Sequence, residues 1–111
     1  MWLMFRLIGS VITVPLAEEL AFRGFLPRRL LRADFNRLPV ATFALMPWAV
    51  SSFLFGAMHG QLWIAGTLAG ALFALALYRG RTLGDAVQAH ATTNALLAIY
   101  VFATGRWSAW S

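Results

Sequence analysis

Glu18 and Glu19 stand side by side in a run otherwise built from apolar residues, and Arg23 follows the second of them at helical spacing. On a helix, Glu19 and Arg23 share a face and can pair. Glu18 lies about 100° round from Glu19 and has no partner within its own helix. An unpaired carboxylate at membrane depth is costly, and it marks a functional site. Two histidines are available to it, His59 and His90, each on its own apolar segment. Phe55-x-x-x-His59 and His90-x-x-x-Asn94 each put their two residues on one helical face. A carboxylate and a neutral imidazole can together take a proton from a water held between them. A second imidazole and an amide N–H can stabilise the oxyanion formed when that water attacks a peptide carbonyl. Glu18, His59 and His90 could instead hold a divalent metal such as zinc, which that donor set suits. The helix-borne His-Glu-x-x-His pattern is absent, so a zincin is not supported.

Each of these residues also has a plainer use. The Glu19–Arg23 pair reads as a neutralised buried pair that positions Glu18. A single histidine or asparagine between membrane helices is commonly packing glue, and Asn94, Thr92 and Thr93 taken alone fit that role. Asp85 reads as a helix cap, Phe22 and Phe55 as packing residues, and Arg79 and Arg81 as topology residues. The weight of the functional reading comes from three polar groups on three separate apolar segments.

The 111 residues suffice for one small domain. The chain is 60% hydrophobic and 12% charged, with a mean hydropathy of +0.70. Soluble domains carry about 25% charged residues, so this is a membrane composition. All nine basic residues are arginine, and the net charge is +5. These arginines border apolar runs, which points to lipid headgroups and topology, not to nucleic acid. Without cysteine, disulfide and thiol chemistry are excluded. Arg6 and Pro15-Leu16-Ala17 make a poor signal peptide, and the helical pattern continues past them. The chain begins in an apolar run and stops at Trp110-Ser111, and is expected to be a fragment of a longer membrane protein.

The elements that must position the polar groups are four apolar segments. The first is Trp2 to Leu31, interrupted by Gly9 and Pro15, with Pro15 expected to start a fresh helical piece. Arg28, Arg29 and Arg32 mark its interfacial exit, and Ala33 to Pro39 is a polar connector. The second, Val40 to His59, either kinks at Pro47 or opens there after a separate short piece; the second alternative is favoured. The third, Leu62 to Tyr78, carries Gly66-x-x-x-Gly70, a spacing that supports close helix packing and says nothing of chemistry. Gly80 ends it. Thr82-x-x-Asp85 reads as a capping box for the fourth, Gly84 to Ala103. Gly105 closes that segment, and Arg106, Trp107 and Trp110 read as an interfacial belt.

Arginines cluster in the first and third connectors, and none falls in the second, around Gly60 to Trp63. Four alternating spans with the arginine side cytoplasmic satisfy this pattern. At about 1.5 Å per residue, Glu18 lies about 15 Å in from Arg28, His90 about 9 Å in from Gly84, and His59 about 18 Å in from Pro47. The three can therefore meet.

Glu18-Glu19-x-x-x-Arg23, Phe55-x-x-x-His59 and His90-x-x-x-Asn94, in this order, resemble the three motifs of the CAAX-type prenyl endopeptidase and bacteriocin-processing family of intramembrane proteases. The wording around Glu18 and His59 also resembles the bacterial subgroup associated with exosortase systems. The resemblance implies an all-α, polytopic bundle of about four membrane segments in a bacterial inner membrane. It implies that Glu18 and His59 activate water, that His90 and Asn94 stabilise the oxyanion, and that Glu19 and Arg23 support Glu18. It implies a membrane-anchored protein or peptide substrate, prenylated or not, and leaves both a metal-dependent and a metal-free mechanism open. Family members carry further helices on both sides of these motifs. A non-catalytic scaffold or peptide-immunity module of the same family is the alternative, and a proton-relaying transporter fragment is a third reading.

Overall fold

The computed structural model describes residues 1–107, so the expected belt residue Trp110 lies outside the described residues. All regular structure among them is helical. Helix α1 runs unbroken over residues 2–31, followed by α2 (Leu45–Ala57), α3 (Trp63–Gly80) and α4 (Leu83–Thr104).

Pro15 stands in the first turn of a fresh α-helical stretch, Val14–Glu19, as expected, but no break precedes it, and α1 continues through both Pro15 and Pro27. A proline inside a helix lacks an N–H, and its ring presses on the carbonyl one turn back. Here a widened π turn precedes each ring, Gly9–Thr13 before Pro15 and Leu20–Phe25 before Pro27. Val14 N–H accordingly reaches back to Gly9 O, and Leu26 N–H to Ala21 O. Near the end of α1, Arg28 ties the helix to the connector: Nε donates to Gly24 O within the helix (2.6 Å) and Nη1 to Leu38 O (2.8 Å).

Residues 40–44 are not helical, and α2 starts at Leu45 with Pro47 in its first turn. First-turn N–H groups have no helical partner, so the proline costs nothing there. The segment expected to run to His59 ends at Ala57; His59 has left the helix for the turn Gly60–Leu62. Helix α3 ends on Arg81, whose left-handed backbone (φ 67°) lets its N–H reach Leu77 O. Gly80 is the last helical residue, as expected, and Arg81 is the cap. Thr82 caps α4 as expected, accepting the Asp85 N–H (3.2 Å), and Gly105 closes it at φ 73°.

The middle of α1 leans on α4, its arginine end leans on α2, and α3 packs against both α2 and α4. Gly56 makes the α2–α3 crossing tight, because a Cβ there would overlap Thr67 and the Trp63 carbonyl. Trp48 Nε1 donates across the same crossing to Ala71 O (3.3 Å). The core is small, with Phe55, Phe73, Ala74, Leu77, Ala86, Ala98 and Val101 buried. Large apolar side chains cover the outside; Leu68, Leu72, Leu96 and Ile99 are each over 60% exposed. Such a surface suits lipid. By length and composition, one helical stretch qualifies as a candidate span, Gly60–Gly80, with mean hydropathy 1.6. Four spans were expected; Leu45–Ala57 is apolar but short, and α1 and α4 carry polar and charged groups partway along.

Candidate active site

The pair Glu19–Arg23 forms as its spacing dictates, with Arg23 Nε 3.3 Å from Glu19 Oε2. Both side chains are buried, at 1% and 0% exposure. Glu18, on the next face of α1, is 20% exposed. His90 of α4 lies between the two glutamates. Its Nδ1 is 2.8 Å from Glu19 Oε1, and its Nε2 is 3.7 Å from Glu18 Oε2. A carboxylate at 2.8 Å accepts from the ring, so Nδ1 carries a proton and Nε2 faces Glu18. The distance on the Glu18 side is too long for a direct hydrogen bond. Glu18 Oε2 is buried and has no hydrogen-bond partner among the described residues.

His59 is fixed differently. Its Nδ1 is 2.8 Å from the Phe55 carbonyl oxygen, which can only accept. The proton is therefore on Nδ1, and Nε2 is left as an acceptor for a further group. Gly66 of α3 lies directly behind the ring, where an added Cβ would be 3.0 Å from two of its atoms.

Asn94 follows His90 by one helical turn but turns to α1. Its Nδ2 donates to the Ser10 carbonyl at 2.6 Å. One amide N–H is thus engaged and one remains. His59, His90, Asn94, Ser10, Phe55 and Phe73 help line a cleft of about 290 Å³, walled on the α3 side by Ala65, Gly66 and Ala69. Of the four residues expected to act, His59, His90 and Asn94 line the cleft; Glu18 does not line it and stands 3.7 Å from His90 Nε2.

Several contributors were not read from the sequence as site residues. The bond from His90 to Glu19 was not expected, because the spacing showed only the Arg23 partner of Glu19. Phe73 stacks on His90 at 4.6 Å and 17°. Phe55, read as ordinary packing, is the hub of the site. Its ring lies 4.6 Å from the Arg23 guanidinium, 4.9 Å from His59 and 5.5 Å from His90. Gly70 supplies a carbonyl that accepts from Arg23 Nη2 at 2.6 Å. The Gly66-x-x-x-Gly70 motif thus bears on the candidate site as well as on packing, one glycine backing His59 and the other accepting from Arg23.

Glu18, His59 and His90 were expected to converge if a metal is held. Among the described residues no three histidine, cysteine, aspartate or glutamate side chains lie close enough together to hold a metal ion. Each imidazole is held at Nδ1, one by a carbonyl and one by Glu19, an arrangement that leaves Nε2 for a further group.

Residues 1–96 match the family described as Type II CAAX prenyl endopeptidase Rce1-like. The chain belongs to that family, a membrane-embedded protease family. No curated protein and no solved structure matches it.

Proposed function

We propose that this chain is the catalytic core of an intramembrane endopeptidase that hydrolyses a peptide bond of a membrane-anchored protein or peptide near its C-terminus. The observation that carries the reading is His90 held between Glu18 and Glu19, beside a cleft that also presents His59 and Asn94. The four helices lie in a bacterial inner membrane as four segments, with the arginine-bearing connectors on the cytoplasmic side.

Water binds between Glu18 and His59 Nε2. Glu18 removes its proton as the water oxygen attacks the substrate carbonyl carbon. The developing oxyanion accepts from the second N–H of Asn94 and is met by the His90 ring, which Glu19 holds through Nδ1. As the C–N bond breaks, Glu18 gives its proton to the leaving amine. Arg23 holds Glu19, and Glu19 holds His90, so the buried pair acts through its neighbours and not on the substrate.

The test is cleavage of a co-expressed membrane-anchored substrate by wild type and by Glu18→Gln at matched membrane levels. Loss of a general base costs about 10²–10⁴-fold in rate, so Glu18→Gln is expected to be inactive. Equal cleavage by both proteins removes Glu18 from the mechanism. The second reading is a non-catalytic membrane module of the same family; it takes over if a substrate panel yields no Glu18-dependent cleavage. Cleavage is expected to survive chelation of divalent metals. Loss on chelation and recovery with zinc would instead make Glu18, His59 and His90 metal ligands.

A further inference from the structure

Asn94 reaches across to α1 and binds a backbone carbonyl, although carbonyls inside a helix normally have donors of their own. The Ser10 carbonyl is open for a reason written into α1. The π turn sends the Val14 N–H back to Gly9. The next donor in that register is residue 15, and residue 15 is proline, which has no N–H. The Ser10 hydroxyl does not compete for Asn94, because it donates to the Leu7 carbonyl at 3.1 Å.

An amide side chain has a donating end and an accepting end, related by a half turn. Turned one way, Asn94 offers N–H to the cleft. Turned the other way, it offers a carbonyl oxygen, which repels an oxyanion. The 2.6 Å bond to Ser10, which itself lines the cleft, puts Nδ2 and not Oδ1 at that edge and fixes the plane of the amide. The π turn matters for the same reason. It carries one residue more than an α turn, so closing it would rotate residues before Val14 by about 100° against the glutamates. Ser10 would then leave the face that meets Asn94.

We propose that Pro15 is a positioning residue for the reaction: lacking an N–H, it leaves the Ser10 carbonyl free to hold the Asn94 amide with its remaining N–H toward the cleft. This rests on the endopeptidase reading above and adds to it a residue that touches neither substrate nor water.

The test is a cycle of wild type, Pro15→Ala, Asn94→Ala and the double variant, with kcat and KM measured on the same membrane-anchored substrate. A displacement of about 1 Å can cost about 100-fold in rate, so Pro15→Ala is expected to lower kcat tenfold or more at unchanged KM. The double variant is expected to be no slower than Asn94→Ala alone, the signature of residues acting through one another. A fifth protein, made by cell-free synthesis with lactic acid at position 15, has the shape of alanine but no N–H. It is expected to recover most of the lost kcat. Additive losses, or a lactic acid protein no faster than Pro15→Ala, overturn the proposal. Unfolding the same proteins in detergent reads the Pro15–Asn94 coupling without a substrate, and additive effects there overturn it as well. Absence of Glu18-dependent cleavage in wild type counts against the endopeptidase reading instead, and leaves the unfolding cycle to decide the coupling.

Discussion

Two groupings of carboxylate and guanidinium can be set side by side. On the first connector, Asp34 receives both Nε and Nη2 of Arg32 at 2.9 and 3.0 Å, with Arg37 Nε at 3.5 Å. Inside the bundle, Glu19 faces Arg23 at the longer distance of 3.3 Å. Distance alone would rank the outer grouping first. Exposure reverses the order: Asp34 and Arg32 are half exposed, whereas Glu19 and Arg23 are closed off from solvent. Exposed pairs are screened and gain little. A buried pair makes losing either member expensive, since the survivor keeps its charge without a partner. The inner pair therefore acts as a constraint on geometry, and the outer pair as an adjustable surface feature.

Four substitutions sharpen this contrast. Glu19→Ala is expected to have the largest effect. It strands Arg23 and releases His90 Nδ1, and it should destabilise the bundle by about 3–5 kcal/mol in detergent unfolding. A loss under about 1 kcal/mol would mean that the inner pair is no more binding than the outer one. Gly70→Ala comes next, at about 1–3 kcal/mol from overpacking. Its Cβ would stand 2.8 Å from Phe55 and 3.2 Å from Arg23 Nη2. Circular dichroism melts of the two variants should fall in this order. Phe73→Leu removes the ring stacked on His90 and is expected to cost about 1 kcal/mol, with cleavage falling more than stability does. Asp34→Asn should be smallest, within about 1 kcal/mol, and the difference from wild type should shrink in high salt.

The sequence made much of this visible because the informative signals are local. Helical spacing shows Glu19 beside Arg23, and the capping box shows where α4 starts. The approach of Glu18 to His90, and of His59 and His90 to one cleft, was also within reach, because polar groups on separate apolar segments have few places to go except toward one another. Other features needed the third dimension. Nothing in the spacing of His90 says that its partner is Glu19, 71 positions away. Phe55 and Phe73 look like any other aromatic residues in an apolar run until their rings are seen around Arg23 and His90. Pro15 was legible as the start of a fresh helical piece, but the unbroken path of α1 through it was not, because proline signals a break locally. The π turn that accommodates it is recognised only by where Val14 N–H is directed. The number of spans is less directly legible, since helix length and mean hydropathy select a single stretch while arginine placement suggests four.

The length of α1 has a further consequence. At about 1.5 Å per residue, residues 2–31 extend for about 45 Å, in line with the 44 Å long axis of the molecule. A bilayer's hydrocarbon layer is about 30 Å thick. Within a membrane, such a helix must tilt or protrude, and its depth is then set by where its arginine end is anchored. The acidic pair lies partway along this oversized rod. Bilayer thickness thus becomes a variable that acts on the depth of the glutamates, and lipids of different chain length offer a way to move them relative to the interface without changing a residue.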